Sequence, residues 1–164
     1  MTPFKVGDSI PDVWFQTRVN DEFVGLNTNA EMQGKKVILF ALPGAFTPTC
    51  STKQLPGFEE MYSQFSEKGI DDIYCLSVND SFVMNAWFDS LNIKNVKAIP
   101  DGNLEFTKKA GFLVDKGDLG FGKRSSRYAI VVDDMKITHV FAEDMDAEGD
   151  PYEVSTPENV LKNL

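Results

Sequence analysis

A chain of 164 residues suits one domain, with enough surface buried on folding to support one sizeable core. Apolar residues are 42% of it and charged residues 25%, which excludes a mainly disordered chain, and no apolar run reaches the roughly 18 residues that span a bilayer. The formal net charge of −9 argues against nucleic acid and membrane surfaces as partners, since both are anionic.

The start, Met1 to Asp8, lacks the positive-then-apolar pattern of a secretory leader. The two cysteines, Cys50 and Cys75, are too few for a disulfide scaffold. A reducing, cytoplasmic compartment is the expectation; a removed organelle presequence would leave the same chain.

Lys36 to Leu42 is a continuous apolar run that predicts a central strand buried on both faces. Pro43-Gly44 stops it. From Pro48 to Lys68 the pattern turns helical: Phe58, Met61, Tyr62 and Phe65 fall at i, i+3, i+4 and i+7. Pro56-Gly57 predicts a kink or split in this helix, and Gly69 a C-terminal cap. Asp72 to Val78 reads as the next strand. Asp80 then caps a helix expected to carry Phe82, Val83, Ala86, Trp87 and Leu91 on its inner side. Val96 to Ile99 is a short strand and Asn103 to Ala110 a short helix ending at Gly111. Tyr128 to Val132 and Ile137 to Ala142 form a hairpin. Glu143 to Asp150 is an acidic run, read as a solvated loop. Ser155-Thr156-Pro157-Glu158 opens the last helix.

This order is βαβα, then a strand, a short helix, a hairpin and a helix. It gives a single α/β domain over residues 1–164, with a mixed central sheet flanked by helices. By element order alone this is a thioredoxin-like fold.

The stretch with chemistry follows the buried strand and precedes the helix, where open α/β sheets place their sites. It reads Pro43-Gly44-Ala45-Phe46-Thr47-Pro48-Thr49-Cys50-Ser51. Cys50 falls in the first helical turn, where unpaired N–H groups and the positive dipole end favour an anion. The thiolate is the nucleophilic form of cysteine. Thr47 stands three residues before it, so its hydroxyl is placed for the same pocket, as donor and acceptor to a small oxygen substrate or as a helix cap. The N–H groups of Gly44 and Cys50 are further candidate donors.

These residues resemble the peroxiredoxin signature Pro-x-x-x-Thr-x-x-Cys, here Pro43 to Cys50. The continuation through Leu55-Pro56-Gly57-Phe58, with Ser77-Val78-Asn79-Asp80, Pro100-Asp101-Gly102 and Arg124-Ser125-Ser126-Arg127-Tyr128-Ala129, is similar to the type II, peroxiredoxin-5-like branch. The resemblance implies a thiol peroxidase for hydrogen peroxide and alkyl hydroperoxides, serving antioxidant defence and redox homeostasis. It implies Cys50 as peroxidatic thiolate and Thr47 as peroxide ligand. Arg127, ahead of the strand at Tyr128, would stabilise thiolate and transition state, with Arg124 the weaker candidate. Pro43 would shield the sulfur. It also implies no cofactor, and a homodimer assembled through a region near Phe46, Phe82 and Phe121.

Some similar enzymes carry a second, resolving cysteine near the C-terminus; none stands between Arg124 and Leu164. Cys75, inside a predicted buried strand, reads as a core residue too far from Cys50 to bridge. The expected cycle therefore uses one cysteine, recycled by glutathione with glutaredoxin or by thioredoxin.

Three other readings are weaker. A disulfide oxidoreductase wants Cys-x-x-Cys, and Thr47 occupies the first position. A redox sensor or chaperone-like binder would use Cys50 without turnover, which Thr47 and Arg127 argue against. A Cys–His hydrolase would need His139, the one histidine, beside Cys50, and its spacing gives no sign of that. No residue cluster has metal-ligand spacing, and Gly117 to Gly122 neither follows a strand nor opens a helix, so it reads as a turn rather than a nucleotide loop.

Overall fold

The computed structural model describes residues 2–164. The strands are β1 (Trp14–Val19), β2 (Glu22–Asn27), β3 (Lys36–Ala41), β4 (Asp72–Ser77), β5 (Lys97–Pro100), β6 (Leu113–Asp115), β7 (Lys123–Ser125), β8 (Tyr128–Asp133) and β9 (Lys136–Ala142). The helices are α1 (Thr28–Met32), α2 (Leu55–Glu60), α3 (Tyr62–Glu67), α4 (Ser81–Ser90), α5 (Glu105–Ala110) and α6 (Pro157–Lys162).

The central sheet runs β5-β4-β3-β8-β9, with β3, β4 and β5 parallel and β8 and β9 antiparallel to their neighbours. This is the mixed, thioredoxin-like sheet that the element order predicts. β3 lies at its centre and alternates between two cores. Val37, Leu39 and Ala41 face Tyr74, Leu76, Tyr128 and Ile130, covered by Phe106 of α5. Ile38 and Phe40 face Ile73, Cys75, Ala129 and Val131, covered by Phe58, Phe65, Trp87 and Val160 of the other helices. Both sides are buried, so the strand reads as an unbroken apolar run.

Stacking ties the site's helix to this sheet. Phe40 stacks on Phe58 with centroids 4.2 Å apart, and Phe58 on Phe65 at 5.7 Å. Truncating Phe58 to alanine in so closed a core would cost about 3–5 kcal/mol.

The helix expected from Pro48 to Lys68 breaks elsewhere than at Pro56-Gly57. A π-helical turn covers Cys50–Gln54, α2 continues through Pro56, and the break falls at Met61. The wider turn explains this. Leu55 N–H closes it on the Cys50 carbonyl, so the ladder loosens just before the ring of Pro56, which has no N–H to give. Gly69, at φ +91°, ends α3, with Ile70 N–H closing on the Phe65 carbonyl at 3.1 Å.

The inner face of α4 is also rotated from the expected one. Its buried residues are Ser81, Met84, Trp87 and Phe88, whereas Phe82 and Ala86 are exposed. Phe82 instead packs on Phe23 at 5.9 Å and under the guanidinium of Arg18. The β1–β2 hairpin thus offers Phe82 a surface partner outside the core. The β8–β9 hairpin forms as expected, its turn residues Asp134 and Met135 at positive φ.

Candidate active site

The helix that carries Cys50 starts at the end of β3. Its first ladder bond is Ser51 N–H to the Thr47 carbonyl at 3.0 Å, which leaves Cys50 in the unpaired first turn. The Ser51 hydroxyl accepts from Trp87 Nε1 at 2.8 Å, fixing this turn against α4. Cys50 is fully buried, and both cysteines are free thiols.

Arg127 arrives from the other side of β3, just ahead of β8. Its Nη1 donates to Cys50 Sγ at 3.4 Å and to Gln54 Oε1, and its Nη2 donates to Asp150 Oδ1 at 2.5 Å. Its guanidinium also lies over the Tyr152 ring at 5.7 Å. Burial works against the charge of Arg127, but the Cys50 sulfur and the Asp150 carboxylate outweigh it and hold its pKa above the ordinary arginine value. The site therefore keeps a fixed cation against the sulfur. Burial, aided by Glu158, pushes the Tyr152 phenol up to about 12, so it adds no negative charge beside Arg127.

The Pro43–Thr47 turn is held from three directions. Ala45 N–H donates to Asn79 Oδ1 at 3.1 Å, and Asn79 also accepts from the Ser77 hydroxyl. Arg124 donates from Nη1 to the Pro43 carbonyl and from Nε to the Phe121 carbonyl, each at 3.1 Å. The Thr47 hydroxyl donates to the Gly44 carbonyl at 2.7 Å. That geometry corrects the reading of Thr47 as a side-chain cap. The helix takes its carbonyl, while its hydroxyl proton is spent on Gly44, leaving the oxygen as an acceptor. Pro43 and Arg127 line a cavity of about 30 Å³, together with Ser126 and the segment from Glu143 to Pro151.

The structure thus brings Cys50 and Arg127 into contact and joins Pro43, Gly44 and Thr47 in one turn. It places Arg124 on that turn rather than on the sulfur. His139 lies on β9 opposite Val131, its ring beside the Thr138 hydroxyl and stacked on Phe141. Cys75 is fully buried on β4, opposite Phe40, and burial pushes its thiol well up.

The redoxin family profile matches residues 5–161. A peroxiredoxin of Rhizobium etli is 54% identical over 167 aligned residues, which cover 94% of this chain and 93% of that one. The chain belongs to the peroxiredoxins. This peroxiredoxin superposes on the Plasmodium falciparum antioxidant protein, a 1-Cys peroxiredoxin, with a TM-score of 0.92 and 42% identity over 98% of this chain and 100% of that one. It also matches reduced Prx3 of Vibrio vulnificus in complex with hydrogen peroxide, with a TM-score of 0.90 and 36% identity over 98% of each chain. It is accordingly a thiol peroxidase, an oxidoreductase that acts on peroxide.

Two hydrogen-bond partners of Arg127, Gln54 and Asp150, escape the sequence reading. Gln54 carried a usable signal, because it stands four residues after Cys50 and i, i+4 residues share a helix face. Asp150 carried none. The acidic run expected to be a solvated loop is anchored at both ends in this peroxiredoxin. Asp150 pairs with Arg127, and Glu143 is buried, its Oε2 accepting from the N–H groups of Glu153, Val154 and Ser155 and from the Ser155 hydroxyl. Four donors repay the desolvation of that carboxylate, which composition does not reveal.

Proposed function

We propose that Cys50 is the peroxidatic nucleophile of a one-cysteine cycle, with Arg127 and Thr47 as its catalytic partners. The observation that carries this is the Arg127 guanidinium set against the Cys50 sulfur. The thiolate attacks one peroxide oxygen; the S–O bond forms as the O–O bond breaks. The departing oxygen leaves with the electron pair and takes a proton, giving water from hydrogen peroxide or an alcohol from an alkyl hydroperoxide. Negative charge moves from sulfur to that oxygen, and a preorganised cation beside both stabilises the transition state more than the ground state. Thr47 accepts a hydrogen bond from the peroxide O–H. Pro43, with Gly44 beside it in the turn, keeps water from the sulfur.

Cys50 is left as a sulfenic acid, a reversible oxidation step. A first thiol condenses with it to a mixed disulfide and releases water. A second thiol exchanges to restore Cys50. Glutathione with glutaredoxin, or thioredoxin, is the proposed source of both electrons. Cys75 takes no part: its raised pKa keeps it a thiol, and it lies within the sheet. The setting we propose is peroxide defence and redox homeostasis in a reducing cytoplasm. The protein would work as a homodimer, for which the exposed Phe46, beside Thr47, supplies apolar surface.

The test is hydrogen peroxide consumption with glutathione plus glutaredoxin, and separately with thioredoxin, for the native protein, Cys50→Ser and Cys75→Ser. Activity lost only in Cys50→Ser supports the one-cysteine cycle. Loss in both makes Cys75 the resolving thiol and sinks it. Light scattering at micromolar concentration tests the dimer, and a monomer mass refutes it.

A further inference from the structure

We propose that Asp150 is a positioning residue for the peroxidase reaction, acting through Arg127 from the far side of the guanidinium. This rests on the proposed role of Arg127 against Cys50. The ion pair is not an ordinary surface contact. The Arg127 side chain is 2% exposed, while that of Asp150 is 43% exposed, so one partner is locked in the core and the other reaches it from solvent. Exposed pairs contribute little because both side chains move and water screens them. Here the cation cannot leave, and among the described residues Asp150 is the one carboxylate bonded to it.

The geometry divides the fork. Nη1 faces Cys50 Sγ and Gln54 Oε1; Nη2 faces Asp150 Oδ1. Nε is buried with no hydrogen-bond partner among the described residues, so the fork's hydrogen bonds to them come from its two tips. Tyr152 covers the guanidinium plane. With Asp150 holding Nη2, Nη1 is turned toward the sulfur and Gln54. Without it, a buried guanidinium with a free tip turns to find another acceptor. Asp150 is itself held in place, since Glu143 clamps the chain at Glu153 to Ser155 just beyond it. The groups that touch the Arg127 guanidinium are therefore Cys50, Gln54, Asp150 and Tyr152.

Asp150 touches neither sulfur nor peroxide in this reading, so its effect must vanish when Arg127 is gone. A double-mutant cycle tests that. Single-turnover oxidation of Cys50 by hydrogen peroxide is measured for the native protein, Asp150→Ala, Arg127→Gln and the double variant, with iodoacetamide alkylation of Cys50 in parallel and each rate taken at its pH plateau. Asp150→Ala is expected to slow peroxide oxidation about tenfold, as misplacement of a catalytic group does, and to add nothing in the Arg127→Gln background. Alkylation, which has no oxygen leaving group to stabilise, should change less than about threefold. Asp150→Asn, which keeps an acceptor oxygen, should recover most of the rate. An unchanged rate in Asp150→Ala, the same loss in both backgrounds, an equal loss in alkylation, or an Asn variant as slow as Ala would overturn the proposal. A fast Arg127→Gln enzyme would instead overturn the role of Arg127 itself and the proposal with it.

Discussion

Arg127 and Cys50 stand 77 residues apart in the chain, yet Nη1 of one lies 3.4 Å from Sγ of the other. The sheet makes this meeting. β3 delivers Cys50 at its C-terminal end, and β8, antiparallel to β3, begins at that same end, with Tyr128 opposite Ala41. The residue just before Tyr128 therefore lies over the helix start. The fork matters as much as the charge, since it reaches sulfur, Gln54 and Asp150 at once. Lysine offers one ammonium and no fork. Arg127→Lys is expected to lower the second-order rate constant with hydrogen peroxide by about 10²-fold while the protein stays folded. A rate within a few-fold of native would mean that charge alone suffices.

Thr47 gives a narrower prediction. Its hydroxyl proton goes to the Gly44 carbonyl at 2.7 Å, so toward peroxide it acts as an acceptor. Thr47→Ser keeps that oxygen and should stay near native activity. Thr47→Val keeps the shape, removes the acceptor and frees the Gly44 carbonyl from its partner. It should lose about tenfold or more in peroxide rate, as the loss of one hydrogen bond made in the transition state does. Equal activity in Val and Ser would assign Thr47 to backbone shape alone.

Much of this arrangement is legible in the amino-acid sequence, for identifiable reasons. β3 shows itself because a strand buried on both faces has no room for polar residues. Asp80 shows itself as a cap, and Val83 N–H does donate to its Oδ1 at 2.9 Å. The β1–β2 hairpin did not show itself, because Trp14, Phe23 and Val24 are apolar yet exposed and the in–out alternation is lost. Phe82 misled for a related reason: its apolar partner is Phe23 of that unseen hairpin. Asp150 and Glu143 were hidden because an inward-turned carboxylate and a solvated one have the same local sequence. Only the tertiary fold separates them.

Gly44 ties the turn to Arg124. A Cβ at Gly44 would sit 2.6 Å from Arg124 Nη1 and 3.2 Å from Thr47 Cγ2. Gly44→Ala must therefore push the guanidinium off the Pro43 carbonyl, at a cost of about 1 kcal/mol for the lost hydrogen bond. Denaturant unfolding should report that loss. In an Arg124→Ala background the same substitution should be nearly neutral, because the obstructing group is gone. Equal destabilisation in both backgrounds would place the cost on Thr47 or on the backbone instead.

Glu59 predicts a pH dependence of stability away from the site. Its carboxylate accepts from the N–H groups of Asn95 and Val96 and from Asn95 Nδ2, fastening α2 to the segment before β5. Partial burial would raise its pKa, but the Val96 and Asn95 bonds outweigh that and lower it below the ordinary carboxylate value. A depressed folded pKa means that the unfolded chain binds the proton first as pH falls. The stabilisation is then complete above the ordinary glutamate pKa of about 4.3 and is lost as pH falls through the lower folded value. Glu59→Gln keeps an acceptor oxygen and cannot titrate. It should be less stable than native at neutral pH, and the gap should close on acidification when unfolding is followed by tryptophan fluorescence. A gap that stays constant with pH would show that these bonds do not depend on the carboxylate charge.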